Sequence, residues 1–105
     1  MRHEAMTIVR SGLRQRIDAI AAQQGHISLS RICEQIDMIR HDARAYGLEP
    51  VARLASTLET TLATDGLGPV ILSYLDLMRD AVECEDNGPE TISAYLAALS
   101  ARLGH

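Results

Sequence analysis

The sequence predicts an all-α protein, an antiparallel up-and-down bundle of four to five helices. Apolar residues recur at steps of three and four along the 105-residue chain, and no stretch alternates with the period of two that a half-buried strand needs. The three aromatic residues are all Tyr, so the core must be aliphatic, which suits packed helices. A chain of this length is expected to form one domain, residues 1–105.

Glycine and proline residues mark where the helices are expected to begin and end. Glycine readily adopts the left-handed conformation just past a helix end, and proline suits the first helical turn. Five helices are therefore expected, each bounded by such a residue: about residues 4–24 before Gly25, 28–46 before Gly47, 50–64 from Pro50, 69–85 from Pro69 and 89–103 from Pro89. Their connections are short, so neighbouring helices should run antiparallel.

The helical period also selects the residues expected in the core. Apolar side chains fall on one stripe of each helix, and the fourth helix has the widest apolar face because Val70, Leu72, Tyr74 and Leu77 extend it. A stripe of this kind packs against the other helices. The positions expected to be buried are Ile36, Ile39, Ala43, Leu54, Leu58, Leu75 and Leu99.

Charge and cysteine content argue against several classes of function. The chain has 10 basic residues, all Arg, against 14 acidic ones, a net charge of −4. Nucleic-acid binding is not expected, because non-specific affinity comes mainly from neutralised phosphates. No apolar run is long enough to span a membrane, and the N-terminus does not resemble a signal peptide. Cys33 and Cys84 lack metal-ligand spacing. We therefore expect a cytoplasmic protein with half-buried free thiols and with no metal or cofactor.

One polar face stands out on the second helix. A helical wheel places Asp37, Arg40, His41 and Arg44 together on the side away from the apolar stripe. His41 falls almost opposite the core, so its imidazole is expected to face solvent. A neutral imidazole is a nucleophile at physiological pH, and a cation one helical turn away can stabilise a transferred phosphoryl group.

The segment from Asp37 to Glu59 resembles the core of histidine phosphotransfer (HPt) domains. These small helical bundles carry a phosphoryl group between receiver domains in two-component signalling. The family pattern reads H-x-x-K-G, then small residues, then G-L, then an amphipathic helix ending in L-E. Here Ala43–Leu48 (A-R-A-Y-G-L) matches the middle of the pattern and Leu58-Glu59 matches its end. The close resemblance covers about a quarter of the chain.

The sequence departs from the family pattern at the acceptor itself, and two readings stay open. In the ungapped alignment Asp37 takes the acceptor position, Arg40 the Lys position and His41 the first Gly position. That reading implies a degenerate domain, a pseudo-HPt adaptor. In the second reading the acceptor is His41, one turn later, with Arg44 as the cation and Ala45 as the small residue.

The resemblance implies a phosphorelay module whose partner is a response-regulator receiver domain or a hybrid histidine kinase. Its docking face would centre on Arg40, His41 and Arg44, with a hydrophobic rim near Tyr46 and Leu48. The alternative is a helical interaction or dimerisation module outside phosphorelay signalling. A stand-alone enzyme is not expected, because the sequence has no phosphate-binding loop, metalloprotease motif or nucleophile elbow.

Overall fold

The computed structural model describes residues 2–23, 28–66 and 68–104 of the chain. These residues form five helices and no strand: α1 (Arg2–Gln23), α2 (Leu29–Ala45), α3 (Glu49–Asp65), α4 (Val70–Glu83) and α5 (Pro89–Arg102). The predicted all-α class is confirmed, and the helix ends agree with the predicted ones to within two residues where both are described. The break predicted at Gly25 lies outside the described residues.

The helices form a four-membered bundle with a fifth helix on its outside. α1 packs against α2 and α4, and α3 packs against the same two helices, so α1 and α3 lie across the bundle from each other. α5 packs over α3 and α4. Ion pairs between α1 and its neighbours follow the antiparallel order, with Arg16 bonded to Asp42 of α2 and Arg14 bonded to Glu83 of α4.

The core is built from aliphatic side chains, as the aromatic-poor composition predicts. All seven side chains expected to be buried are buried. No buried residue in the described part of the chain is polar or charged. The wide apolar face of α4 is mostly core, although Val70 and Leu72 at its first turn are exposed. Cys33 and Cys84 are half-buried and free, as expected.

The turn between α2 and α3 fixes the geometry of the polar face. Gly47 has φ +75°, the left-handed conformation that ends a helix. Its amide donates to the Arg44 carbonyl, and the Leu48 amide donates to the Ala43 carbonyl at 2.8 Å. This is the Schellman arrangement. After this turn Pro50 lies in the first turn of α3, and α3 packs alongside α2.

Candidate functional site

His41 lies on the outward face of α2, about one turn before the helix ends at Ala45. Its side chain is 67% exposed, whereas Ile39 and Ala43 on the other side of the helix are fully buried. The exposure expected from the helical wheel is confirmed, and the imidazole is open to a macromolecular partner. Its role as phosphoryl acceptor stays a prediction.

Arg40 joins α2 to α3 through two carboxylates. Its Nη2 donates to Asp37 Oδ1 at 2.6 Å, and its Nε donates to Glu59 Oε1 at 3.1 Å. We refer to Asp37, Arg40 and Glu59 as the Arg40 cluster. The Arg40 side chain is only 24% exposed. The expectation of a freely exposed Arg40 is therefore corrected: its guanidinium already has two carboxylate partners.

The ion pairs of the Arg40 cluster change the pKa values of Asp37 and Arg40. The hydrogen bond from Arg40, with the positive charges of Arg40 and His41, lowers the pKa of Asp37 below its usual range. The bonds to Asp37 and Glu59 raise the pKa of Arg40. Burial and the nearby charge of Glu59 raise the pKa of the Cys33 thiol. Asp37 is therefore ionised at neutral pH, and Cys33 is a poor nucleophile.

The imidazole of His41 touches the edge of this cluster. Its Nε2 lies 3.4 Å from Asp37 Oδ2 and 3.4 Å from Arg40 Nη2. A guanidinium at that distance can stabilise the negative charge of an anionic group bound to the ring. The carboxylate of Asp37 has the opposite effect on an anionic group. Because His41 is exposed, its ring is free to turn away from Asp37 toward solvent.

Arg44 and Tyr46 complete the exposed part of the face. Arg44 is exposed, and its guanidinium forms no ion pair with any residue that the structure describes. It lies one turn beyond His41 on α2, as the second reading of the motif requires. Tyr46, the C-cap residue of α2, is 51% exposed. Both residues are available to a partner.

Leu48 does not belong to this surface. Its side chain is fully buried, so the prediction that Leu48 supplies part of a hydrophobic rim is wrong. Leu48 is buried because of the way in which α2 ends. Leu48 follows the left-handed Gly47, and a hydrophobic residue at that position of a Schellman motif turns inward against the helix it follows.

Exposed apolar side chains lie instead on the α1 side of His41. Met38, one turn before His41 on α2, is 52% exposed, and Ile8 on α1 is 73% exposed. With Tyr46 they border the groove between α1 and α2. The sequence signal for Met38 is an apolar residue on a polar helix face. Ile8 has a similar signal, since it falls outside the buried stripe of α1. The sequence pattern includes Glu59 only as the last residue of the motif and predicts no role for it.

No protein family, curated protein or solved structure was found to match this chain. Among the described residues, no helix is both long enough and apolar enough to cross a bilayer. A function is therefore inferred from the residues at the outer face of α2, namely His41, Arg44 and the Arg40 cluster.

Proposed function

We propose that the chain is an HPt-like phosphorelay module that docks a receiver domain on the outer face of α2, with His41 as the phosphoryl acceptor. The observation that carries the proposal is the exposed imidazole of His41, 3.4 Å from the Arg40 guanidinium and one turn from Arg44, which has no ion-pair partner among the described residues. Receivers carry acidic pockets, and the positive charge of Arg44 beside an exposed nucleophile complements such a pocket.

The transfer step is a direct exchange of the phosphoryl group between the two proteins. The unprotonated ring nitrogen of His41 attacks the phosphorus of the receiver's aspartyl phosphate. An N–P bond forms, the P–O bond to the aspartate breaks, and the carboxylate leaves with the electron pair of that bond. The other ring nitrogen keeps its proton. Arg40 and Arg44 act by stabilising charge on the transferred group.

A second candidate, the pseudo-HPt adaptor, is favoured by Asp37. In the ungapped alignment this carboxylate takes the acceptor position, and Arg40 bonds it at 2.6 Å. A carboxylate at the acceptor position cannot form phosphohistidine, so a domain read in this way does not carry a phosphoryl group on histidine there. An adaptor would bind a receiver through the same face without accepting its phosphoryl group.

The test is incubation of the purified chain with a panel of phosphorylated receivers carrying labelled phosphate. We expect label on the wild type, lost on acid treatment because phosphohistidine is acid-labile, and no label on His41→Ala. His26→Ala is the matched control, since it removes a histidine that precedes α2, and it should be labelled normally.

Binding measured on the same samples separates the two candidates. Receiver binding without label would contradict the acceptor role of His41 and support the adaptor. Label that persists in His41→Ala would assign the acceptor elsewhere. The absence of both binding and label across the panel would contradict the phosphorelay proposal.

A further inference from the structure

The outer side of α1 carries a row of four residues one turn apart: Glu4, Ile8, Gly12 and Arg16. We refer to them as the α1 row. Residues four apart lie on one helix face. Glu4 and Arg16 are exposed, and Ile8 is the most exposed large apolar side chain in the described part of the chain. Ile8, Gly12 and Arg16 of the row border the groove toward α2.

Gly12 has no packing role within the chain. Apart from its two chain neighbours and the backbone of its own helix, a methyl group added there would meet no atom of the described residues within 4 Å. A glycine inside a helix costs about 0.5–1 kcal/mol relative to alanine, so the fold alone gives no reason for it. Gly12 instead forms the floor of an open cavity of about 210 Å³, bordered by Ile8, Arg16, Asp42 and Tyr46. The cavity has room for one aliphatic side chain from outside the chain.

We propose that α1 is a self-association surface, and that its partner is a second copy of this chain lying antiparallel to it across a two-fold axis. An axis that passes between Ile8 and Gly12 sets Ile8 of each copy over Gly12 of the other. The same axis sets Glu4 of each copy opposite Arg16 of the other. Ile8 of each copy then fills the cavity beside Gly12 of the other copy. The apolar contact and the charge contact each occur twice, as a two-fold interface requires.

The charges favour a second copy over an unrelated helix. Glu4 forms no ion pair with the described residues, and Arg16 uses its guanidinium toward Asp42 while its side chain stays 43% exposed. Opposite charges at the two ends of the row make it complementary to an antiparallel copy of itself. A parallel copy would set Glu4 against Glu4 and Arg16 against Arg16. The interface does not rest on the phosphorelay proposal, because it uses α1 rather than His41.

Because the contact is confined to one helix, it is smaller than a standard stable interface, and association should depend on concentration. Sedimentation equilibrium of the full chain from about 1 µM to about 1 mM should show a monomer–dimer equilibrium. Glu4→Arg and Arg16→Glu should each weaken the dimer by about tenfold or more, because like charges then meet twice. Mixing the two variants should restore dimers, since opposite charges again face each other at both ends.

Two further variants keep the proposal falsifiable. Gly12→Leu fills the cavity while favouring helix, so it should abolish the dimer even if Arg16→Glu perturbs the fold. Glu90→Arg, the same charge change at an exposed position of α5, is the matched control and should dimerise like the wild type. Circular dichroism checks that each variant is helical. A wild type that stays monomeric throughout, or a dimer that Gly12→Leu and the charge variants leave unchanged, would overturn the proposal.

Discussion

Asp37 links the chemistry of the candidate site to the stability of the fold. Its pKa is lowered in the folded chain by Arg40, so the ionised carboxylate is favoured in the folded state over the unfolded one. The resulting stabilisation is fully present above the pKa of the unfolded chain, about 3.9 for Asp, and is lost as the pH falls through the lower folded value.

Asp37→Asn should therefore be less stable than the wild type at pH 7, and the difference should shrink in acid. Urea unfolding at neutral and acidic pH measures it; a difference that is independent of pH would contradict this role.

Arg44 provides the residue-scale test of docking. Arg44→Glu should weaken receiver binding by about 1–3 kcal/mol, because a favourable charge contact becomes a repulsive one. Arg31→Glu is the matched control: it makes the same change at an exposed position of α2, more than two turns before His41. Titration calorimetry with one receiver compares the two. Equal losses in both variants would point to net charge rather than a docking face at His41.

Individual residues also show which features of the site can be predicted from the sequence. The exposure of His41 was predictable because it depends only on angular position around one helix. The engagement of Arg40 was not, since its second partner, Glu59, belongs to α3 and meets Arg40 only after the helices pack. The prediction that Leu48 lies on the exposed rim is wrong for the same reason. Its burial depends on the Schellman turn and on where α3 lies, and neither follows from the identity of the residue.

At the scale of elements, alanine substitution should have opposite effects on stability at a glycine that ends a helix and at a glycine inside one. Gly47→Ala should destabilise the fold by about 1–2 kcal/mol, because a side chain at φ +75° is strained in the left-handed region. Gly12→Ala should stabilise it by about 0.5–1 kcal/mol, because the added methyl group meets nothing and alanine favours helix. Thermal unfolding at low protein concentration, where the chain is monomeric, measures both. Changes of the same sign would contradict one of the two assignments.

The helix boundaries were largely predictable because their signals are local. Gly47 ends α2, and Pro50 and Pro89 lie in the first turns of α3 and α5, as their fixed or unusual backbone angles require. The arrangement of the helices was less accessible. Short connections predict antiparallel neighbours, but they do not say that α5 packs outside the bundle against α3 and α4. That choice depends on which apolar faces are left uncovered after the first four helices assemble.

At the scale of the whole molecule, stability should be uneven. The buried side chains of α2 and α3 are nearly all fully inaccessible, and each of these helices packs against two others in the bundle. Of the residues in α5, all of which the structure describes, only Leu99 is buried. The other contacts of α5 include bonds at the surface, from Tyr95 to Asp80 and from Arg102 to Asp76, and exposed bonds of this kind contribute little. α5 should therefore detach at a lower free energy than the four-helix bundle unfolds.

Native-state hydrogen exchange can observe this order of opening. Amides of α5 should exchange through a local opening whose free energy barely changes with denaturant, because little surface is exposed when one helix detaches. Amides near Ile36 and Leu58 should exchange through global unfolding, with a higher free energy and the full denaturant dependence. Leu99→Ala should speed exchange throughout α5, because it removes the buried contact that holds this helix, while circular dichroism still shows a folded bundle. Amides of α5 that match those of α2 and α3 in both opening free energy and denaturant dependence would show that the five helices unfold as a single cooperative unit.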